Sequence, residues 1–220
     1  MNFVKINNEI FNEVEKNSGV TKIGIIGCNG FVLYTYLLSL RGTSGQATTS
    51  IKAIKEFMNG VRGFKTNSTI CKMLEMLNRM GLIEIRNVDG YDNIKLNKSL
   101  LVEIKDFDFY EKMPIKLMID KLSKIGTIGF TILCLLVKLH NVNDGYANPS
   151  QLYIANIIGI DKTAVIKYIK ILEKEKLINV KTEDVFVYED EYGLPLINRT
   201  NNKYKVNYLK KNNKYYTPKQ

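Results

Sequence analysis

The sequence holds a single histidine, His140, three cysteines, and no long uninterrupted apolar run. A lone histidine excludes chemistry that needs a histidine cluster. Metal-dependent nicking by a tyrosine nucleophile is one such case, despite 13 tyrosines. No Ser-His-Asp set is indicated around His140 either, and it reads as a residue at the end of a helix. The cysteines Cys28, Cys71 and Cys134 form no CxxC pair. Each sits among apolar neighbours, where a thiol behaves as a small hydrophobe. A disulfide framework and a zinc site are therefore not expected, and a reducing cytosol is. The apolar stretches at 23–28 and 128–137 are short and interrupted beside the roughly 20 residues a bilayer span needs. The segment MNFVKINNEIFNEVEKN (1–17) carries acids and lacks the apolar centre of a signal peptide. The expected location is the cytoplasm, with no membrane partner. There is no G-x-x-x-x-G-K-[ST] phosphate loop. The glycines of GIIGCNG (24–30) do not fit the dinucleotide fingerprint and are expected to form a loop ahead of a helix. No cofactor, no metal and no enzymatic activity is expected.

What is present is positive charge. There are 32 Lys plus Arg against 22 Asp plus Glu, a net charge of +10, and the pI is about 9.3. With 45% hydrophobic and 25% charged residues, the chain has the composition of a globular protein. A basic globular protein points to polyanionic partners, nucleic acid first.

The chain also repeats itself at a spacing of about 95–99 residues. GFVLYTYLLSLRG (30–42) resembles GFTILCLLVKLHN (129–141). TNSTICKMLEMLNRMGLIEI (66–85) resembles DKTAVIKYIKILEKEKLINV (161–180). In the second pair Ile70, Leu74 and Leu77 align with Val165, Ile169 and Leu172, and Leu82 and Ile83 with Leu177 and Ile178. Each copy reads as a buried helix, a short helix (50–58; 149–158), a turn, an amphipathic helix, and a strand beginning at Leu-Ile. Pro149 and Ser150 stand where a helix should start. Gly159 stands at the turn, where positive φ is useful, and Asp161 or Thr163 is positioned to cap the next helix.

In PSQLYIANIIGIDKTAVIKYIKILEKEKLI (149–178), Ala155, Gly159, Val165, Ile169, Leu172, Leu177 and Ile178 resemble the core positions of winged helix-turn-helix domains. Such domains occur in plasmid replication initiators, phage replication organisers and bacterial transcription regulators. The first copy departs from that pattern at its turn: VRGFKTN (61–67) is longer than the compact Gly-Ile-Asp form. The resemblance implies a mainly α fold with small β-hairpin wings (α+β), in two tandem winged-helix domains. The first, 1–100, would hold an N-terminal helix, a helix-turn-helix and a wing at 83–97, turning at Asp89 and Gly90. A linker is expected near 98–108, and Pro114 should open a helix over 114–122. The second domain, 107–208, would hold a helix-turn-helix at 149–175 and an extended wing at 178–208 that turns near 192–195. A basic, Tyr-rich tail at 209–220, with Lys210, Lys211 and Lys214, would be ordered only by a ligand.

Projected on a helix, Thr163, Lys167, Lys170 and Lys174 lie opposite the core stripe of the second amphipathic helix, with Lys162 at its start. Such a face enters the major groove in helix-turn-helix proteins, where lysine donates to guanine or phosphate. In the first copy the equivalent face carries Ser68, Lys72, Glu75 and Arg79, and Glu75 opposes phosphate. Arg86 and Lys95 in the first wing, and Arg199 and Lys203 in the second, are further candidates for phosphate contact. Acids at Glu183, Asp184, Glu189, Asp190 and Glu191 turn the near part of the second wing away from DNA. The expected function is that of a sequence-specific double-stranded DNA-binding protein regulating transcription or plasmid or phage maintenance. An initiator of plasmid or phage replication is the alternative, and a protein-interaction scaffold the second. Further partners would be a second copy of the chain, or replication or transcription proteins.

Overall fold

The computed structural model describes residues 3–88, 90, 91, 94–189 and 195–208, and of 184–201 it describes the backbone alone. In the first half, β1 (Phe3–Asn7) leads through a 3-10 turn (Asn8–Phe11) to α1 (Lys22–Leu40), β2 (Gln46–Thr49), α2 (Ile51–Phe57), α3 (Asn67–Arg79), β3 (Ile83–Ile85) and β4 (Leu100–Ile104). The second half runs β5 (Tyr110–Pro114), α4 (Ile115–Lys138), α5 (Gln151–Ile158), α6 (Lys162–Lys174), β6 (Ile178–Glu189) and β7 (Pro195–Val206).

Local chemistry starts these helices in matching ways. Ser50 and Ser150 are N-caps of α2 and α5, and each Oγ accepts from a backbone N–H three residues on, Ala53 and Tyr153, at 3.1 Å. Gly159 ends α5 in the left-handed region at φ 75°. Thr66 caps α3, accepting from the Thr69 N–H. Asp161 occupies the N-cap of α6, but its side chain makes no capping bond.

The two amphipathic helices bury the stripes their spacing predicts. Ile70, Leu74 and Leu77 of α3 face α1, and Val165, Ile169 and Leu172 of α6 face α4. Full burial of one such side chain contributes roughly 1.5–3 kcal/mol. The strands repeat as well. In the first half Ala47 of β2 pairs with Val102 of β4, which also pairs with Ile85 of β3. In the second half Ala147 bridges to Tyr204 of β7, which pairs with Val180 of β6. Both sheets thus place the last strand of the half between a short stretch preceding the two-helix unit and the strand following it.

The halves meet about an approximate two-fold axis. Phe31 and its counterpart Phe130 stack at a tilt, ring centroids 6.2 Å apart. Gly159 lies so close to Gly24 that a Cβ there would sit 3.2 Å from the Gly24 Cα. The counterpart contact places Gly60 against Ser123. When two residues meet across the halves and their counterparts meet as well, the interface is isologous in kind. β1 and β5 pair antiparallel across the same axis, with Lys5 opposite Lys112. Thr127 Oγ1 donates to Asn29 Oδ1 at 2.7 Å, and Thr21 Oγ1 to the Ile157 carbonyl at 2.5 Å. One continuous core of buried residues runs through both halves.

Several sequence expectations are corrected. The glycines at 24–30 form no loop: α1 runs through them and bends at Gly27, whose φ of 67° and ψ of 167° are open to glycine alone. Gly126 bends α4 in the same way, so the helix opened by Pro114 and the buried helix of the repeat are one kinked helix. Counted through its bend, α1 is long and apolar enough to cross a membrane, which the reading of short, interrupted runs did not foresee. Of its most apolar 18 residues 67% are buried within the protein, because α3, α4, α5 and β2 cover it. The partner of β3 is β4, within the stretch expected to be a linker, and the described residues between Ile85 and Leu100 form no strand. In the second half β6 pairs with β7 antiparallel, from Ile178 and Val206 outward. Asp89, the expected turn at 192–194, Asp190, Glu191 and the tail 209–220 lie outside the described residues.

Candidate nucleic-acid interface

The outward face of α6 is a row of cations. Thr163, Lys167, Lys170 and Lys174 are exposed on the side away from Val165, Ile169 and Leu172, and Lys162 is exposed at the first turn. Among the described residues none of these lysines forms an ion pair. Glu173 and Glu175, the acids at the end of the helix, are engaged elsewhere. Glu173 accepts from the Val180 N–H at 3.3 Å, and Glu175 accepts from Lys121 of α4 at 2.9 Å. The Lys121 ammonium holds the Glu175 carboxyl below its ordinary pKa. Tyr168, beside Lys167, packs into the bend of α4: its ring lies 3.3 Å from where a Cβ on Gly129 would sit. The seat of α6 on α4 therefore presents Lys167, Lys170 and Lys174 on one outward face.

The equivalent face of α3 carries less charge. Ser68, Lys72 and Arg79 are exposed. Arg79 donates to Glu75 one turn back on the same helix, so the two cancel and Lys72 remains. Two of the wing candidates, Arg86 and Lys203, are also engaged. Arg86 is exposed but paired with Glu103, and more distantly with Glu84 at 3.9 Å. Lys203 and Lys181 both bond Glu183, whose carboxyl they hold down to about 2. Lys95 is exposed and without an ion pair among the described residues. Arg199 stands on β7 opposite Val185 in backbone register, and its side chain lies outside the described residues.

The structure therefore gathers Thr163, Lys167, Lys170 and Lys174 on one face of α6 and ties two of the wing cations, Arg86 and Lys203, to neighbouring acids. It also shows cations that the projection of α3 alone passed over. Lys52 and Lys55 lie on α2, and Arg62 and Lys65 on the turn that follows. Their spacing of three residues within each pair was the available signal. His140 follows the end of α4; both ring nitrogens are buried with no hydrogen-bond partner among the described residues, and burial pushes its pKa down. Cys28, Cys71 and Cys134 are buried, and burial pushes the Cys28 and Cys134 thiols up.

Residues 125–178, from the bend of α4 to the first residue of β6, match the family model described as a helix-turn-helix domain. No curated protein and no solved structure matches the chain. The segment that carries the lysine face of α6 is thus similar to the helix-turn-helix domains, and the partner this similarity supports is DNA.

Proposed function

We propose that the protein is a sequence-specific double-stranded DNA-binding protein built from two winged-helix units in tandem, acting in the cytoplasm without catalysis to regulate transcription or plasmid or phage maintenance. The observation that carries this reading is the exposed stripe Thr163, Lys167, Lys170 and Lys174 on α6, the last helix of the matched segment, whose lysines have no carboxylate partner among the described residues. In that frame α6 enters the major groove and reads base edges, while phosphate contacts supply affinity. The repeated element order and the strand arrangement of the first half support a second unit of the same kind. Because the halves share a core, engagement of one raises the effective concentration of the other at its half-site.

The fused pair of units in one chain also favours a second reading, an initiator of plasmid or phage replication. The two readings use the same protein surface and differ in where the sites lie: at a promoter, or in repeats at an origin.

Selection of bound sequences from a random duplex pool tests the reading, run on the wild type and on Lys167→Ala/Lys170→Ala. The wild type is expected to enrich a motif whose binding weakens at least about tenfold in the double variant, since a good base contact is worth about 1–3 kcal/mol. Failure of the wild type to enrich any motif would remove sequence-specific recognition.

A further inference from the structure

The long turn that sets the first half apart builds a surface that the second half lacks. Val61 and Phe64 are buried and anchor it, while Arg62 and Lys65 point outward. At Gly63 the backbone presses on Asn29 of α1, with φ at 100°. The result is a concavity of about 530 Å³ lined by Lys55, Arg62 and Lys65 together with Met58, Asn59 and Phe64. It adjoins a shallower one of about 290 Å³, where Lys52 and Lys55 lie beside Glu56 and Leu96. Lys55 makes only a 3.3 Å contact to the Asn67 side-chain oxygen, and among the described residues neither it, Arg62 nor Lys65 has a carboxylate partner. The matching place in the second half, around the turn at Gly159, is a concavity lined by Glu13 and Asp161 with Tyr153 and Asn156, and no cation lines it among the described residues. Two turns related by the same axis therefore carry opposite charge.

We propose that the cleft at the first turn, with Lys55, Arg62 and Lys65, grips backbone phosphate of the DNA bound by this protein. This rests on the DNA-binding reading above. The first half then positions the chain on the duplex through a contact that every sequence offers, and α6 supplies the discrimination. The cluster suits phosphate because it combines three cations in a concave, rigidly anchored loop, and because α3 beside it has only Lys72 uncompensated.

The test uses the full chain, wild type and Lys55→Gln/Arg62→Gln/Lys65→Gln, with a duplex carrying the selected motif and a duplex of random sequence, between about 50 and 200 mM salt. Each lost phosphate contact reduces the slope of log affinity against log salt by about 0.9, so the triple variant should lose about two to three. Both duplexes should weaken by the same factor and the selected motif should not change. Lys55→Arg/Lys65→Arg should keep the wild-type slope. If the triple variant unfolds, Arg62→Gln alone should lower the slope by about one. A wild type that binds DNA beside a triple variant of unchanged slope and affinity would overturn the cleft and leave the DNA reading standing. A changed motif at unchanged slope would make the cleft a base reader and overturn it equally. A wild type that binds neither duplex would remove both readings.

Discussion

Lys170 on α6 and Glu75 on α3 hold the same place in their helices, each five residues past the first core position of its stripe, Val165 or Ile70, and they carry opposite charge. Around them the two outward faces are alike: Thr163 matches Ser68, Lys167 matches Lys72, and Lys174 matches Arg79. The single reversal does double damage in α3, because Glu75 also occupies Arg79.

Replacing Glu75 by lysine should restore the missing charge and release Arg79 at once. Affinity for random-sequence duplex is expected to rise several-fold at low salt, and the salt dependence to steepen by about one to two phosphate contacts. Fluorescence anisotropy across a salt series reads both. Unchanged binding would mean that α3 does not approach DNA.

The near-contact of Gly159 with Gly24 makes another prediction. Alanine at either Gly159 or Gly60 must adopt a left-handed backbone, which costs about 1–2 kcal/mol. At Gly159 the added Cβ also meets main-chain atoms at 3.2 Å, whereas at Gly60 it meets the Ser123 side chain at an ordinary 3.8 Å. Gly159→Ala should therefore destabilise the protein by roughly a further 1 kcal/mol beyond Gly60→Ala. Urea denaturation of the two variants gives the comparison, and equal losses would speak against a tight seam between the halves.

His140 gives the stability a pH dependence of known sign. Burial lowers its pKa in the folded protein from the ordinary 6.5, so the unfolded chain takes up a proton first as the pH falls. Stability from this group is intact above 6.5 and is lost as the pH drops from there towards the folded value. The thermal midpoint of the wild type should fall between neutral pH and the mildly acidic range by more than that of His140→Gln. Parallel curves for the two proteins would place the effect elsewhere.

The shared core predicts one unfolding transition. Because buried side chains run without a break from one half to the other, the halves should melt together. Calorimetry and circular dichroism should give coincident single transitions. Two resolved steps would show that the contact through Phe31 and Phe130 is weak.

The sequence made the helices of the repeat legible because their signal is local. The three-and-four spacing of Val165, Ile169 and Leu172, the serines at 50 and 150, and Gly159 each act within one or two turns of the chain. What escaped was long-range or contextual. β1 and β5 are five residues each and pair across most of the first half, with no local signal to announce the partnership. The Asp-Gly step at 89 and 90 points to a hairpin closed within 83–97, whereas β3 pairs with β4 beyond it, Ile83 with Ile104 and Ile85 with Val102. The glycines ahead of Phe31 and Phe130 look like loop residues, yet only one in each set, Gly27 or Gly126, leaves the helical conformation. The others lie within α1 or α4, and at Gly30 and Gly129 a Cβ would crowd Ile26 and Ile125. Projecting α3 by itself hid Lys55, Arg62 and Lys65, since a surface assembled from a helix and the following turn has no single period.

An axis that relates unlike halves has a consequence for direction. A dimer of identical subunits on a palindrome looks the same from upstream and downstream. This chain, with a lysine face on one side of its axis and a neutralised face on the other, presents two different ends. Once seated on DNA it would act as an arrow, and whatever assembles beside it would meet the same end every time.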